Sequence, residues 1–301
     1  MILLENFDLE FPEKLKIIED SPRKIYVMGN KDLLNEKSIA VVGSRDCTEY
    51  GKQNAYEFGK QIARHGIIVV SGMAKGIDSA AHLGCIENGG KTIAVLGAGF
   101  NYIFPKQNIG LFHKIIETGG AVITEYAPNI NIKSEQFRQR NRIVSALSMG
   151  VLVIEAEHRS GTTITAGFAR KQGKPIFCIP NSLDNPKGIG TNELLKKDAI
   201  LVTNIEDILY TLNLENMKQI SIEEFQESKL ENKKEIKEEY KKIYNILSDT
   251  PIHINDICKK LKINIQDASS TLLMMEMEGL IKNVTGNQYI IVWKINFVLR
   301  C

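Results

Sequence analysis

The sequence predicts an α/β protein, a doubly wound and mostly parallel sheet followed by a small helix-turn-helix domain. Three observations predict it. Short aliphatic runs at 39–42, 67–70 and 151–154 are nearly continuous, as in parallel strands buried on both faces. Amphipathic helical stretches alternate with these runs through most of the chain, which is the order of a parallel sheet wound on both sides. Beyond residue 213 the text turns to mixed Glu and Lys, and then to three short helical stripes ending in a Gly286-Asn287 turn.

The 301 residues suffice for one full parallel-sheet domain and one small second domain. Residues 1–38 read as a preamble packed on the main domain, with turn signals at Phe11-Pro12, Ser21-Pro22 and Gly29-Asn30 and one apolar run at 25–28. The main domain follows over 39–212. It opens on a βαβ unit whose helix carries Ala55, Phe58, Gly59, Ile62 and Ala63 at helical spacing and stops at Gly66. A right-handed crossover then places two small-residue turns side by side at the carboxyl edge of the strands, where ligands bind in open parallel sheets. One turn is Gly43, Ser44 and Arg45; the other is Ser71, Gly72, Met73, Ala74, Lys75 and Gly76.

Both turns favour an anion. Small residues let a ligand reach backbone N–H groups, the following helix presents its positive end, and Ser44, Ser71 and Arg45 add donors. Tight packing alone explains either turn singly, whereas two on adjacent strands argue for a site. Asp78 either caps or charges the next helix, or orients Arg45 or Lys75.

Further units follow in order. A helical stripe of Ile77, Ala80, Ala81, Gly84 and Cys85 leads to a strand at 92–96, a helix near 108–118 and a strand at 121–124. Next comes an arginine-rich run, SEQFRQRNRIVSALSMG at 134–150. If it is helical from its start, Arg138 and Arg142 share a face and Arg140 points about 200° away from Arg138. If the helix begins near Asn141, all three arginines are free to converge. Three Arg and no Lys, interleaved with Phe137 and Asn141, favour phosphate forks and stacking planes over a merely solvated face.

After the strand at 151–154, Ser160, Gly161, Thr162 and Thr163 form a third hydroxyl-rich turn at the mouth of a helix running to about 172. It reads as a phosphate site or an ordinary helix cap. Glu155 and Glu157 read as an acid–base pair or as partners of Arg140 or Arg142. A strand at 175–179, a helix near 191–197, a strand at 199–202 and a helix at 205–212 complete the domain.

A solvated linker is expected over 213–242 and a helical domain over 243–292, while 293–301 has no assignment. The third helix of that domain carries Asp267, Glu276 and Glu278 and no Lys or Arg, which suits a protein contact better than a major groove.

Composition narrows the function. A formal net charge of +2 gives no general attraction to polyanions, so any such surface must come from local clustering. Cys47, Cys85, Cys178, Cys258 and Cys301 form no Cys-x-x-Cys pair, consistent with reduced thiols and no structural zinc. The start lacks the pattern of an export signal and no apolar run reaches spanning length, so a cytoplasmic protein without membrane contact is expected.

Taken together, GSR at 43–45, SGMAKGID at 71–78, FRQRNRIVSALS at 137–148, VIEA at 153–156 and SGTTITA at 160–166 resemble the DprA (Smf) family. The resemblance implies an extended Rossmann-like domain with a C-terminal winged helix, which binds and protects single-stranded DNA, forms dimers and delivers the strand to RecA recombinase in natural transformation. It implies no catalysis and no cofactor. By position, the DNA pocket would comprise Gly43, Ser44 and Arg45, the loop from Ser71 to Gly76, Arg140, Asn141 and Arg142, and the turn from Ser160 to Thr163. Arg138 stands where the family commonly has proline, Asn181 where Pro-Gly is usual, and Asp198 where glycine is usual.

The residues agree with that ligand. Three neighbouring anion-favouring turns and an arginine cluster suit a backbone track, with Phe100, Tyr102, Phe104 and Phe137 as candidates for base stacking. The rival reading is a nucleotide-binding or nucleoside-monophosphate-cleaving enzyme of the lysine-decarboxylase-like Rossmann group. That group carries a Pro-Gly-Gly-x-Gly-Thr turn and a following Glu, where this chain has Ser-Gly-Thr-Thr and no Glu in the next helix.

Overall fold

The computed structural model describes residues 1–158, 160–214, 238–248, 251–277, 280–284 and 286–291. Contacts divide the chain into two compact units, Met1–Gln226 and Glu227–Cys301. Most of the expected linker and the whole 293–301 tail lie outside the described residues, as does Glu278.

The first unit is built on a nine-stranded sheet. Its spatial order is β1 (Ile2–Glu5), β2 (Lys24–Gly29), β6 (Ala121–Thr124), β5 (Thr92–Val95), β4 (Ile68–Ser71), β3 (Ser38–Val42), β7 (Val151–Val153), β8 (Ile176–Cys178) and β9 (Ile200–Leu201). The strands from β3 onward are parallel to one another, and β2 and β1 extend the sheet antiparallel beyond β6. From β3 the chain winds out through β4, β5 and β6, then returns to the other side of β3 at β7. The carboxyl ends of β3 and β7 therefore flank the switch point, the crevice where such sheets bind ligands.

Helices cover both faces. The first unit contains α1 (Glu13–Lys16), α2 (Glu49–Arg64), α3 (Ile77–Glu87), α4 (Ile109–Glu117), α5 (Ser134–Leu147), α6 (Gly161–Lys171), α7 (Ile189–Lys197) and α8 (Ile205–Thr211). Alternation along β3 shows how the two layers are fed: Ala40 and Val42 pack with α5 and α6, while Ile39 and Val41 pack with α2, α3 and α8. The stripe Ala55, Phe58, Gly59, Ile62 and Ala63 is the buried face of α2. Gly66 takes a left-handed φ of 66° where the chain leaves that helix, a turn that glycine makes without strain. This is a doubly wound, Rossmann-like sheet, extended by two antiparallel strands.

The second unit packs α9 (Glu238–Tyr244), α10 (Ile254–Leu261) and α11 (Ile265–Met277) with a three-stranded antiparallel sheet. In that sheet β12 (Gln288–Ile291) lies between β10 (Ile252–His253) and β11 (Ile281–Val284). Ile243, Ile257, Leu272, Met275 and Ile281 are buried in its core. Glu276 accepts a hydrogen bond from the Asn283 N–H at 2.9 Å, tying α11 to the wing. Among the described residues no helix is long and apolar enough to cross a membrane.

Candidate nucleic-acid interface

A cavity of about 450 Å³ opens at the switch point. Its lining comes from four places: Gly43 to Asp46 after β3, Gly72, Ala74 and Asp78 after β4, the α5 face of Ser134, Phe137, Arg138, Arg140 and Asn141, and Glu157 with Ser160 to Thr162 and Thr165 around the start of α6.

The first two turns are joined directly. The Ile77 N–H donates to the Ser44 carbonyl at 3.2 Å, and the Ser44 N–H donates to the Glu155 carbonyl at 2.9 Å, so the ends of β3, β4 and β7 are stitched together. Gly76 permits this approach. It has a φ of +84°, and a Cβ there would stand 2.5 Å from the Ser44 oxygen and 2.7 Å from that of Arg45.

Asp78 holds its own loop. Its Oδ2 accepts from the N–H groups of Gly72 at 3.1 Å and Ala74 at 3.3 Å, folding the turn back onto the first turn of α3. It thus engages the loop backbone rather than Arg45 or Lys75. Burial pushes its carboxyl up, against the pull of Arg140.

Arg140 forms the cavity floor. Only 4 % exposed, it donates from Nη1 to the carbonyls of Gly72, at 2.5 Å, and Val95, and from Nε to Asn141 Oδ1 at 3.1 Å. Burial pulls its guanidinium down to about 10, with Asp78 opposing and Arg45 adding to the shift.

The arginine run is helical from Ser134, where the Lys133 N–H donates to Gln136 Oε1 at 2.8 Å. Such a helix puts Arg138 and Arg142 on one face, yet it is Arg138 and Arg140 that reach the cavity, because Glu125 and Asp20 draw Arg142 aside. Arg138 is exposed and lines the cavity with Asn141. Arg142 does not: it is buried, forks onto Glu125 at 2.8 and 2.7 Å, and donates from Nε to the Asp20 carbonyl at 2.8 Å. Its pairing with Glu125 raises the guanidinium against the cost of burial.

Arg45 is exposed at the mouth, with its guanidinium carbon 5.3 Å from the centre of the Phe137 ring. Phe104 stands on Phe137 in turn, with centroids 5.8 Å apart and planes inclined by 55°. Phe100 is buried in the core and is not available to a base.

The third turn divides as well. Ser160 Oγ is buried without a hydrogen-bond partner at the start of α6, beside the cavity. Thr163 turns back and donates to the Ser160 carbonyl at 2.7 Å. Glu155 is fully buried and pairs with neither Arg140 nor Arg142. It receives the Thr48 N–H at 2.9 Å, the Thr48 hydroxyl at 2.5 Å and Asn185 Nδ2 at 3.2 Å, which fixes the start of α2. Glu157 and Asp46, both in the lining, share the ammonium of Lys187, at 2.5 and 2.9 Å.

Several residues expected in the pocket therefore serve it from behind. Ser71 is fully buried and donates to the Val41 carbonyl at 2.6 Å, and Met73 is fully buried in the core with a φ of 55°. Lys75, which is exposed, lies outside the lining, as do the half-buried Gly76 and Thr163. The structure adds Asp46, Ser134, Glu157 and Thr165, none of them in the expected pocket, and seats Phe137 in the lining. Ser134, Phe137, Asn141 and Val144 recur at helical spacing, a signal the sequence carries once the helix start is known.

Comparison with known proteins matches most of the first unit. The model of the family DNA recombination-mediator protein A matches residues 3–213, and the DprA winged helix domain matches 229–287. Protein Smf of Escherichia coli is 40% identical over 206 residues, 68% of this chain and 55% of that protein, so the chain spans about half of that relative's length. DNA processing protein DprA of Streptococcus pneumoniae is 40% identical over 199 residues, 66% of this chain and 70% of the relative. The X-ray structure of DprA from S. pneumoniae superposes with a TM-score of 0.66 at 38% identity, covering 69% of this chain and 73% of that one. A Helicobacter pylori DprA structure, described for its unique single-stranded DNA binding mode, gives a TM-score of 0.64 at 32% identity, covering 70% of this chain and 95% of that one. With the family model matching from Ile2's neighbour Leu3 to Asn213 and the winged helix matching beyond it, the chain belongs to the DprA family of DNA recombination-mediator proteins.

Proposed function

We propose that the switch-point cavity and its turns bind single-stranded DNA without catalysing a reaction on it. The bound strand is protected and then passed to RecA recombinase in natural transformation or recombination. One observation carries the reading: the exposed Arg45 stacks on Phe137 at the mouth of a cavity edged by Arg138 and by turn hydroxyls. A flat aromatic face beside fixed cations suits an unstacked base and its phosphate, and a duplex hides its base faces within the helix.

A nucleotide-cleaving reading is less well supported, because the nearby carboxylates are committed. Glu155 holds Thr48 and Asn185, Asp78 holds its loop, and Asp46 and Glu157 share Lys187. The protein partners of this reading are RecA and a second copy of the chain, acting in the cytoplasm. Helix α11 exposes Ile265, Leu273 and Met274 and carries no Lys or Arg, which supports a protein-contacting role for the winged helix.

The test is binding of fluorescent oligo-dT against a duplex of equal length across a salt series. Selective binding to the single strand, weakening with salt, is expected; equal affinity for the duplex, or no binding at low salt, overturns the reading. RecA filament nucleation on the bound oligonucleotide and sedimentation of the free chain check the two protein partners.

A further inference from the structure

The cavity that receives a polyanion also carries two acidic side chains, Asp46 after β3 and Glu157 after β7. Left bare, each would repel an entering phosphate. Both are bound by one residue that is not in the cavity lining: Lys187 Nζ lies 2.9 Å from Asp46 Oδ2 and 2.5 Å from Glu157 Oε1.

The loop that delivers this lysine is built into the same mouth. Lys187 lies in a short 3-10 turn, Pro186–Gly188, between β8 and α7. Its N–H donates to Asn185 Oδ1 at 3.0 Å, and Asn185 Nδ2 donates to Glu155 Oε1 at 3.2 Å and to Asn181 Oδ1 at 3.1 Å. Glu155 is the carboxylate that also holds Thr48, and the Gly190 N–H donates to the Ala156 carbonyl at 2.7 Å. A fourth loop, from the far side of β8, is thus wired to the turns that form the cavity.

Resting on the single-strand reading above, we infer that Lys187 is a positioning residue: an electrostatic strap that draws Asp46 and Glu157 together and cancels part of their charge, so that phosphate enters. Lys187 acts through the two carboxylates rather than on the strand. The hydrogen bonds that it donates to Glu157 and Asp46 hold its ammonium more basic than a free lysine, so the strap stays charged through the neutral range. In Asp46 the same lysine keeps the carboxyl below its usual range.

The test measures oligo-dT binding by the full chain as Lys187→Arg, Lys187→Met, and Lys187→Met combined with Asp46→Asn and Glu157→Gln. Lys187→Arg is expected to bind like the wild type. Lys187→Met is expected to bind about five- to tenfold more weakly at low salt, a gap that closes as salt rises. Removing both carboxylates is expected to restore the affinity, because the negative charge that the strap cancels is then gone from the cavity mouth. Unchanged binding by Lys187→Met, or no recovery in the triple variant, overturns the strap. Failure of the wild type itself on oligo-dT overturns the single-strand reading, and the strap is then judged by the same series with inorganic pyrophosphate.

Discussion

Arg140 and Asp78 are held on opposite sides of one residue. The Gly72 carbonyl accepts from Arg140 Nη1 at 2.5 Å, and the Gly72 N–H donates to Asp78 Oδ2 at 3.1 Å. A buried cation and a buried anion are thereby fixed through the backbone of the turn that forms the cavity floor. This is an arrangement in which removing one partner leaves an uncompensated charge.

Gly72→Ala tests that floor. A Cβ at this position would overlap the Arg140 guanidinium, whereas one at Gly161 would meet nothing within 4 Å. Gly72→Ala is expected to lose about 1–3 kcal/mol of stability and most oligo-dT binding, by analogy with overpacked cores. Gly161→Ala is expected to melt like the wild type in the same thermal scan.

The two neighbouring arginines of α5 should separate by experiment. Arg142→Ala breaks the buried fork on Glu125 and is expected to cost about 3–5 kcal/mol in urea melts, with strand affinity per folded molecule retained. Arg138→Ala removes an exposed cation from the cavity edge, so it is expected to weaken binding and leave the melt in place.

Arg45 and Phe137 should make different losses. Arg45→Ala is expected to weaken binding and flatten the slope of log affinity against log salt by about 0.7, one phosphate's worth on a single strand. Phe137→Leu is expected to cost about 1–3 kcal/mol of affinity with the salt slope kept, because it removes a stacking face and no charge. Titrations at several salt concentrations read both effects.

His82 gives the fold an acid limit. It is fully buried, its Nδ1 lies 2.6 Å from Thr92 Oγ1, and that hydroxyl donates to the Val69 carbonyl at 2.6 Å. Nδ1 therefore carries the ring proton, and Nε2 is buried without a partner. Burial, aided by the charge of Arg140, lowers the ring from 6.5 to about 3. Between those values the unfolded chain holds more protons than the folded one. Stability is thus fully present above pH 6.5 and falls on acidification by about 1.4 kcal/mol per pH unit. Urea melts across that range are expected to show the slope in the wild type and to lose it in His82→Gln.

Much of this molecule is legible in its sequence where the signal is local. Ile39 and Val41, alternating with Ala40 and Val42, announce a strand buried on both faces, and the α2 stripe announces the helix that covers one of them. Strand β1 gives no such signal: of Ile2 to Glu5 only Leu4 is buried, and the strand exists through its pairing with β2. At the site, the small-residue turns are legible, but the depth of each side chain is not. Ser71 and Met73 lie behind the surface because of where β4 ends and the chain turns, and Arg142 leaves the cavity because Glu125 and Asp20 await it from distant segments. The meeting of Lys187 with Asp46 is likewise a product of topology, across 141 positions of chain.

The most direct measurement of the central claim is photo-crosslinking of an oligo-dT carrying 5-iododeoxyuridine, with the attached peptides mapped by mass spectrometry. Crosslinks at Phe137 and in the turns around Arg45 and Ser160 are expected, and Arg45→Ala should diminish them. Crosslinks confined to the second unit, or to faces of the sheet away from the switch point, would contradict the account.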